Sequence, residues 1–408
     1  MTRSRSLIFG KRPRHAVAAC LALVVGIHFA NAAPLSGPRV LLHGWDFLET
    51  TPEDILDNAP SFAKLPIDGV MVTLPPTKQA DGTSIGSLSL PQDVVWKYAS
   101  LVRYEATLKA ICASPSLRDS MLLCAWFYTK GPRFSLLDDA AWARFGGNMR
   151  MLARLAARSG MHGICIDAEE YTKAKQWTPD AGQDYDTAAR LARQRGREVF
   201  AGVFDEFPNA VVLSFWFYSH CWRCVDTPDP LATAKRTNDL WPHFINGILD
   251  VLPMTATFVD GDEDAYRYDG RAMFDAGVVK QTRRCARFVP PELRDRFFAR
   301  QRIGFGQYVD SYTNPTNSYY SFGPVDGSRV KHLRQNFKAA SHSADYVWLY
   351  GEHFSWINWN DARHPKLAYD FTYERHVTWE DKLPGFWEAV AEMRDPAAAE
   401  KATASKSE

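Results

Sequence analysis

Eight short apolar runs, separated by segments with helical spacing, set the strongest constraint on the fold of this chain. The runs span residues 39–47, 69–74, 121–128, 163–169, 210–218, 254–260, 302–310 and 346–352. Strands that alternate with helices predict a parallel sheet, and eight strands close a (β/α)8 barrel. A doubly wound sheet shows the same alternation, but no G-x-G-x-x-G turn follows the first run. We therefore predict an α/β protein that forms a single-domain (β/α)8 TIM barrel.

The segments between the runs carry helix signals of their own. Thr51 and Pro52 predict a capped helix start, and Asp138 and Asp139 precede apolar residues at helical spacing. Further helices are predicted at 94–112, 188–200, 241–248, from strand six to about residue 298, at 330–340 and at 383–393. The small and polar residues 397–408 predict a disordered tail, so that the barrel domain spans residues 33–396.

Residues 1–32 have the pattern of a secretory signal peptide. A basic segment precedes an apolar core at 16–27, and Ala30-Asn31-Ala32 is typical of a cleavage site. The core is too short to span a bilayer. Val17 to Cys20 resembles a lipoprotein box, but the apolar run continues past Cys20, which argues against lipidation. We predict cleavage near Ala32 and export to the periplasm or the extracellular space.

The charge of the mature chain bears on its partners. Cleavage after Ala32 leaves 43 basic and 47 acidic residues, a mildly acidic balance without a basic patch. Such a composition argues against a nucleic-acid partner. No later segment is long and apolar enough to predict a membrane span.

Six cysteines follow the signal segment, too few over this length for a disulfide scaffold. Cys124 and Cys165 lie in apolar runs and are expected to be buried. Cys221 and Cys224 form a C-x-x-C pair, which is typical of a redox pair, half a zinc site or a local disulfide. Without a second C-x-x-C, and in an exported chain, a local disulfide or pairing with another loop cysteine is the favoured interpretation.

The fourth run ends in acids. Because side chains alternate along a strand, Asp167 and Glu169 are expected to project together from its carboxyl end, where α/β barrels keep their chemistry. Glu170 points the other way and is a reserve candidate. The alternative is a helix N-terminus, where acids favour the dipole.

The other strand ends carry aromatic rings and carboxylates, with almost no Lys or Arg. Rings stack on sugar faces while carboxylates bind hydroxyls, whereas a phosphate ligand requires basic groups and Gly-rich loops. The predicted substrate-binding residues are His43, Trp45, Tyr128, Trp216, Tyr218, His220, Gln307, Tyr308, Trp348 and Tyr350. Single members have simpler interpretations: Asp262 as a helix cap, His43 as a hydrogen-bonded core histidine, and any one of the strand-end rings, which include Trp126, as core.

The segment from Gly163 to Glu169 resembles the strand-four motif Asp-Gly-x-Asp-x-Asp-x-Glu of family 18 glycoside hydrolases, the chitinase and endo-β-N-acetylglucosaminidase-like enzymes. The resemblance implies a barrel in which Glu169 donates a proton and Asp167 orients and supports it. Trp348 looks like the tryptophan of that family's pocket floor. His162 and Cys165 stand at the two earlier Asp positions, and no Met-x-Tyr-Asp pattern surrounds Met254.

These features predict an exported glycoside hydrolase acting on an oligo- or polysaccharide, with Glu169 as general acid/base. Either the substrate or a water attacks the anomeric carbon, or Glu169 works with a second carboxylate, Glu352 or Asp260. We predict no cofactor and no metal. Two alternatives remain: a non-catalytic carbohydrate-binding barrel, and a metal-dependent hydrolase using His43, Asp167, His220 and Asp260.

Overall fold

Eight parallel strands close into a barrel in the order in which they follow one another along the chain. The computed structural model describes residues 36–48, 50–90, 93–126, 133–170, 175–221, 223–360 and 374–406. The barrel strands are β1 Arg39–Gly44, β2 Gly69–Val72, β3 Met121–Ala125, β4 Gly163–Asp167, β5 Val211–Ser214, β6 Thr257–Asp260, β7 Gln301–Tyr308 and β8 Tyr346–Gly351. Each strand pairs with its neighbours in sequence, and β8 pairs with β1. The predicted (β/α)8 barrel and its eight strands are confirmed.

Closure depends on the pairing of the first strand with the last. β1 and β8 run parallel from Arg39 opposite Tyr346 to Gly44 opposite Gly351. The residues of β2, β3 and β5 are buried on both faces, as expected of strands that face the barrel interior on one side and the helices on the other. All eight carboxyl ends therefore lie on one rim, which we call the mouth.

The helices that surround the barrel follow the predicted order. They are α1 Trp45–Leu48, α2 Pro52–Asp57, α3 Ala59–Phe62, α4 Tyr98–Leu101, α5 Glu105–Cys112, α6 Asp139–Arg158, α7 Tyr185–Glu206, α8 Pro230–Thr237, α9 Trp241–Val251, α10 Arg271–Val279, α11 Arg294–Arg300, α12 Arg329–Ser341, α13 Trp379–Lys382, α14 Phe386–Arg394 and α15 Pro396–Lys406. Two short strand pairs, Thr77–Lys78 with Ser84–Ile85 and Phe354–Ser355 with Glu374–Thr378, lie outside the barrel.

The predicted caps are present. Thr51 forms a reciprocal capping box with Asp54 at the start of α2. Asp138 accepts a 3.0 Å hydrogen bond from the Ala141 N–H at the start of α6.

Two helix predictions need correction. Residues 94–97 are not helical, because the Asn148 side chain bonds the Trp96 N–H and the Val94 carbonyl, each at 2.9 Å, and holds this segment against α6. The helix expected between strand six and residue 298 is divided into α10, a π-helical turn at Lys280–Arg284, and α11.

Residues 396–406, most of which lie in the segment 397–408 predicted as a disordered tail, form α15. Asp395 accepts a 3.1 Å hydrogen bond from the Ala398 N–H at its start. The segment is rich in alanine, which has the highest helix propensity, and this outweighs its small and polar composition.

The amino end of the barrel is sealed by paired polar groups. Arg39 donates to Asp119 at 2.8 Å and to the Tyr346 hydroxyl at 3.1 Å. The His162 ring lies 3.0 Å from the same hydroxyl, and Arg394 donates to Asp68 at 2.8 Å. With these groups satisfied by one another, the mouth is the end at which polar groups remain available for a ligand.

Trp126 belongs to the helix-side core and not to the mouth. Its ring contacts Phe145, Phe200, Trp241 and Phe244 at centroid distances of 5.4, 6.1, 6.2 and 5.8 Å. These rings come from α6, α7 and α9, so Trp126 joins β3 to three helices, as the interpretation of it as core anticipated.

The six cysteines of the described chain are all free. The favoured interpretation of Cys221 and Cys224 as disulfide-bonded is therefore wrong. Both side chains are buried, and the Cys224 N–H donates to the Cys221 carbonyl at 2.8 Å in a tight turn. Among the residues described, no helix is long and apolar enough to cross a membrane.

Helices α7 and α9 pack backbone against backbone through two glycines. A Cβ added to Gly247 would lie 2.0 Å from the Arg193 carbonyl oxygen, and one added to Gly196 would lie 2.1 Å from that of Phe244. The absence of side chains at these positions lets the two helices approach closely, which positions the loops that follow β4 and β5.

Gly247→Ala is expected to lower the free energy of unfolding by about 1–3 kcal/mol, because the helices must separate to accommodate the new methyl group. Chemical denaturation of the purified protein measures the change. Gly147→Ala is the matched control, because Gly147 also lies inside a helix and an added Cβ there meets no atom of the described chain within 4 Å. The control should be neutral or stabilising by up to about 1 kcal/mol, and equal effects of the two substitutions would contradict the packing argument.

Candidate active site

Strand β4 ends in a turn that is closed by the side chain of Asp167. β4 stops at Asp167, whose Oδ1 accepts a 3.0 Å hydrogen bond from the Glu169 N–H. Such a bond to the residue two positions on is a favoured turn of Asp. Asp167 and Glu169 are thus brought together as predicted, but by this turn and not by strand alternation.

A third carboxyl group, Glu263, joins this pair and was missed from the sequence. It lies in the 3-10 turn Glu263–Arg267 that follows β6, and its Oε2 is buried without a hydrogen bond to any described residue. Burial, then the charges of Glu169 and Asp167, raise the pKa of Glu263 far above its usual value. The run of acids from Asp262 to Asp264 was the available signal, because it follows a predicted strand end.

The turn that carries Glu263 is held in place by a buried ion pair between Asp262 and Lys280. Asp262 has a left-handed backbone with φ of 40°, and its fully buried carboxylate binds Lys280 and accepts a 3.0 Å hydrogen bond from the Tyr268 hydroxyl. Burial raises the pKa of Asp262 to about 6, although Lys280 acts in the opposite direction. The interpretation of Asp262 as a helix cap is wrong, because its side chain makes no cap hydrogen bond; it anchors the loop instead.

Asp260 has the geometry of a loop anchor. Its buried carboxylate accepts hydrogen bonds from the Phe217 N–H at 3.0 Å, from the Ser219 N–H at 2.9 Å and from the Ser219 hydroxyl. Both oxygens are occupied by the loop after β5. The proposed catalytic role of Asp260 therefore has no support in this geometry.

Glu352, the other predicted partner of Glu169, lies in a tyrosine cluster. One oxygen accepts from the Tyr308 hydroxyl at 2.7 Å and the other from the Tyr350 hydroxyl at 2.9 Å. The Trp45 indole N–H donates to the Tyr350 hydroxyl at 3.1 Å. The structure thus brings together four of the predicted site residues, and burial raises the pKa of Glu352.

The cluster is supported from below by Asp310. This buried carboxylate accepts from the Glu352 N–H at 2.8 Å and the His353 N–H at 3.1 Å, and it also binds the His353 ring. The hydrogen bond to Asp310 raises the pKa of His353. Asp310 therefore fixes the direction in which Glu352 leaves β8.

Tyr266 connects the two groups of acids and was also missed. Its ring stacks on Tyr350 at 5.9 Å and lies 5.4 Å from both Tyr308 and Trp348. Burial, then Glu263, Tyr350, Glu169 and Glu352, raise the pKa of its hydroxyl. The charges of Glu169 and Glu352 therefore both act on the Tyr266 hydroxyl, as expected if the two carboxyl groups belong to one mouth.

The floor of the mouth consists of stacked rings. Trp348 is completely buried and stacks on Phe215, with ring centroids 4.3 Å apart, and its indole N–H donates to the Gly261 carbonyl at 2.8 Å. Because Trp348 is completely buried, direct contact with a substrate is not supported. His43 lies 5.0 Å from Phe215 and 5.2 Å from Tyr350.

The His43 ring is buried, and its Nδ1 has no hydrogen-bond partner within the described chain. Burial lowers the pKa of His43 to about 3, so the ring is neutral at ordinary pH. The interpretation of His43 as a hydrogen-bonded core histidine is therefore not borne out at Nδ1.

Two further predicted binding residues are structural. Tyr218 is fully buried, donates to Asn246 at 2.8 Å and stacks on Phe288 at 5.6 Å, away from the mouth. Gln307 is buried and donates to the Gly306 carbonyl at 2.8 Å. Tyr128 lies outside the described residues.

A cavity of about 330 Å³ opens beside the acids, over β4 and β5. Trp216 stacks on the exposed His220 at 4.4 Å in its wall, so these two predicted binding residues do face open space. Burial raises the pKa of Glu170, also in the wall, to about 6. The wall is completed by charged groups and rings, including Glu169, Lys175, Trp177, Arg223, Asp239 and Trp241.

The donor set for a metal is not assembled. Within the described chain, no group of three or more His, Cys, Asp or Glu side chains is placed to hold one ion. Asp260, which the metal-dependent alternative requires, is bonded to the loop after β5.

The fold and the mouth together define a (β/α)8 barrel whose carboxyl-end loops gather acids over an aromatic floor. No protein-family model matches the sequence, and no curated protein matches it. Among solved structures, the chain is similar to a GH18 chitinase from Pseudoalteromonas aurantia, with 10% identity, a TM-score of 0.36, and coverage of 76% of this chain and 93% of the chitinase.

Two more solved structures illustrate the range of similarity. A glucosidase from Croceicoccus marinus has 11% identity and a TM-score of 0.42, covering 88% of this chain and 67% of that one. The 3-keto-D-glucoside 4-epimerase of E. coli has 12% identity and a TM-score of 0.39, covering 88% and 99%. Similarity at this level carries no argument about activity, which must come from the site itself.

The pKa of Asp167 gives a direct test of the site. Burial, then the charge of Glu169, raise this pKa to about 7, above the unfolded value of about 3.9. The folded state therefore holds a proton that the unfolded chain releases, and the stability that this proton provides is lost as the pH rises from about 4 to about 7. Asp167→Asn should raise Tm at pH 8 by roughly 2–4 °C and by clearly less at pH 5, as measured by calorimetry.

Asp275→Asn is the control, since Asp275 lies half exposed on α10 with Arg271 as its partner. Its effect on Tm should be small and similar at both pH values. A shift for Asp167→Asn of the same size at pH 5 and pH 8 would show that Asp167 does not hold a proton in the folded state.

Proposed function

We propose that this chain hydrolyses O-glycosidic bonds in an oligo- or polysaccharide, with Glu169 as the general acid. The observation that carries the proposal is the turn in which Asp167 binds the Glu169 N–H and holds this side chain beside Glu263. Carboxyl groups in one pocket that shift one another's pKa are the means by which glycosidases hold a proton at neutral pH. The rings of Trp216 and Tyr350 supply apolar faces for sugars.

In this scheme Glu169 protonates the departing glycosidic oxygen, and the bond from that oxygen to the anomeric carbon breaks. Asp167 fixes the main chain of Glu169, and its own raised pKa keeps the pair from carrying two full negative charges at neutral pH. Water then bonds through its oxygen to the anomeric carbon, and the proton that it loses returns to the carboxylate that Glu169 has become, which yields two sugars and restores the acid.

Glu263 is our preferred second carboxyl group. Both oxygens of Glu352 already accept tyrosine hydrogen bonds, and those of Asp260 hold the loop after β5. Glu263 differs from both, because its Oε2 accepts no hydrogen bond from the described residues and its pKa responds to Glu169. Glu352 is better suited to orient Tyr308 and Tyr350 toward substrate hydroxyls.

Glu169→Gln should reduce kcat by about 10²–10⁴-fold, because the amide cannot donate the proton in the same way. Glu263→Gln should cause a loss of at least about 10²-fold. Activity is measured as release of reducing ends from chitin, cellulose, starch, xylan and mixed-linkage glucan, using whichever the wild-type protein cleaves.

Glu388→Gln is the matched control, because Glu388 is exposed on α14 and pairs only with Arg334 among the described residues. It should retain full activity. If Glu169→Gln kept wild-type turnover, its assignment as the acid would be wrong. Binding of these glycans without turnover by the wild-type protein would instead favour the non-catalytic carbohydrate-binding barrel.

We also propose that the chain is exported, on the basis of the basic segment, apolar core and Ala30-Asn31-Ala32 of its first 32 residues. Expression of the full sequence in a bacterial host should place a protein beginning at Ala33 outside the cytoplasm, as shown by the intact mass of the fractionated protein. Ala32→Asp should block cleavage. Recovery of the uncleaved chain from the cytoplasm would contradict export.

A further inference from the structure

Tyr319 is the most exposed large apolar side chain of the described residues, at 77%. It lies between β7 and α12, at the rim of the mouth. Its ring meets the Tyr320 ring edge-on at 4.8 Å. Large exposed rings lose the free energy of burial that core rings gain, so the position of this one needs a reason.

The segment that carries Tyr319 is held in place by side-chain hydrogen bonds. Asn314 donates to the Tyr320 carbonyl at 3.0 Å, and Ser321 donates to the Asn314 carbonyl at 3.2 Å. Arg329 donates to the carbonyls of Tyr312 and Asn314, each at 3.0 Å. The exposed ring of Tyr319 is therefore carried by a segment that these hydrogen bonds hold in one conformation.

Arg267 connects this rim to the acids. It ends the same 3-10 turn that begins with Glu263, and its guanidinium lies 4.6 Å from the Tyr319 ring centroid and 5.2 Å from that of Tyr320. It also donates to the Tyr320 hydroxyl at 3.2 Å. A guanidinium packed on aromatic faces fixes their orientation.

The tyrosines form a continuous row from the rim to the floor. Tyr320 lies edge-on to Tyr308 at 5.5 Å and to Tyr266 at 6.0 Å, and Tyr266 stacks on Tyr350. The row runs over β6 to β8, whereas the cavity beside Glu169 lies over β4 and β5. Aromatic side chains are therefore found on both sides of the acids.

We propose that Tyr319, oriented by Arg267 and Tyr320, is an outer sugar-binding position, so that the substrate of the proposed hydrolase is a polysaccharide chain that passes over Tyr319 at the rim and is cut in the mouth. The inference rests on the proposed function and adds the length of the substrate to it. A short oligosaccharide reaches the acids but not Tyr319. Only a longer chain benefits from this ring.

The test compares chain lengths. Di- to hexasaccharides of β-1,4-glucose, β-1,4-N-acetylglucosamine, β-1,4-xylose and α-1,4-glucose serve as probes. Tyr319→Ala should lower kcat/KM about three- to tenfold on the hexasaccharide of the series that is cleaved, and leave the shortest cleaved member unchanged. Tyr319→Phe, which keeps the ring, should retain wild-type values on both.

Phe298→Ala is the matched control, because Phe298 is 55% exposed on α11, outside the tyrosine row. It should change neither substrate. An equal loss on short and long substrates, or no loss for Tyr319→Ala, would overturn the inference while leaving the proposed hydrolase intact.

If the wild-type protein cleaves no member, the proposed function fails separately, and calorimetric titration of the four hexasaccharides decides the inference. Weaker binding to Tyr319→Ala than to Phe298→Ala supports it. Failure of all four to bind the wild-type protein overturns it.

Discussion

Pairing of β1 with β8 is the constraint on which the rest of the molecule depends. The two strands are joined over six residue pairs, from Arg39 opposite Tyr346 to Gly44 opposite Gly351. Without this closure, the end of β8 would lie at an open sheet edge, far from the end of β4. With it, Glu352 and Glu169 act on the same Tyr266 hydroxyl, and one mouth can be assembled from six different strands.

Buried aspartates then convert strand ends into ordered loops. Asp46 accepts from the Trp356 N–H at 2.7 Å, Asp260 accepts from the loop after β5, Asp262 pairs with Lys280, and Asp310 accepts from the loop after β8. Each is a charge removed from water but compensated by donors or a cation. The short side chain of Asp suits this task, because it reaches backbone groups close to its own strand. The glutamates, which are longer, extend from these loops into the mouth.

Because some acids anchor loops and others extend into the mouth, the sequence could predict only part of the site. Eight apolar runs, separated by helical segments, predicted all eight strands, because a strand that is buried on both faces requires an apolar run. The strand-four acids were found because Asp167 directly follows a buried run. Asp260 looked equivalent to Asp167 in the sequence, and only the backbone of residues 217–219, distant in the chain, shows that its carboxylate is occupied. Glu263 was missed for the complementary reason: its placement depends on Lys280 and on the left-handed backbone of Asp262. Neither is visible from the local sequence pattern.

The effect of each acid on the stability of the fold separates the acids that anchor loops from those that lie in the mouth. Removing the carboxylate of Asp260 or Asp310 would leave backbone N–H donors unsatisfied in a buried place, which costs about 1–3 kcal/mol for each group. Burial raises the pKa of Asp260 as well, but at Asp167 and Glu263 the charge of Glu169 adds to burial and makes their charged forms still less favourable in the folded state. These two groups lower the free energy of unfolding, a loss that a neutral side chain at either position would avoid. Because these two groups lie beside Glu169, the cluster as a whole favours keeping a proton that Glu169 can transfer to a substrate, and this is the physical link between the barrel and the chemistry proposed for it.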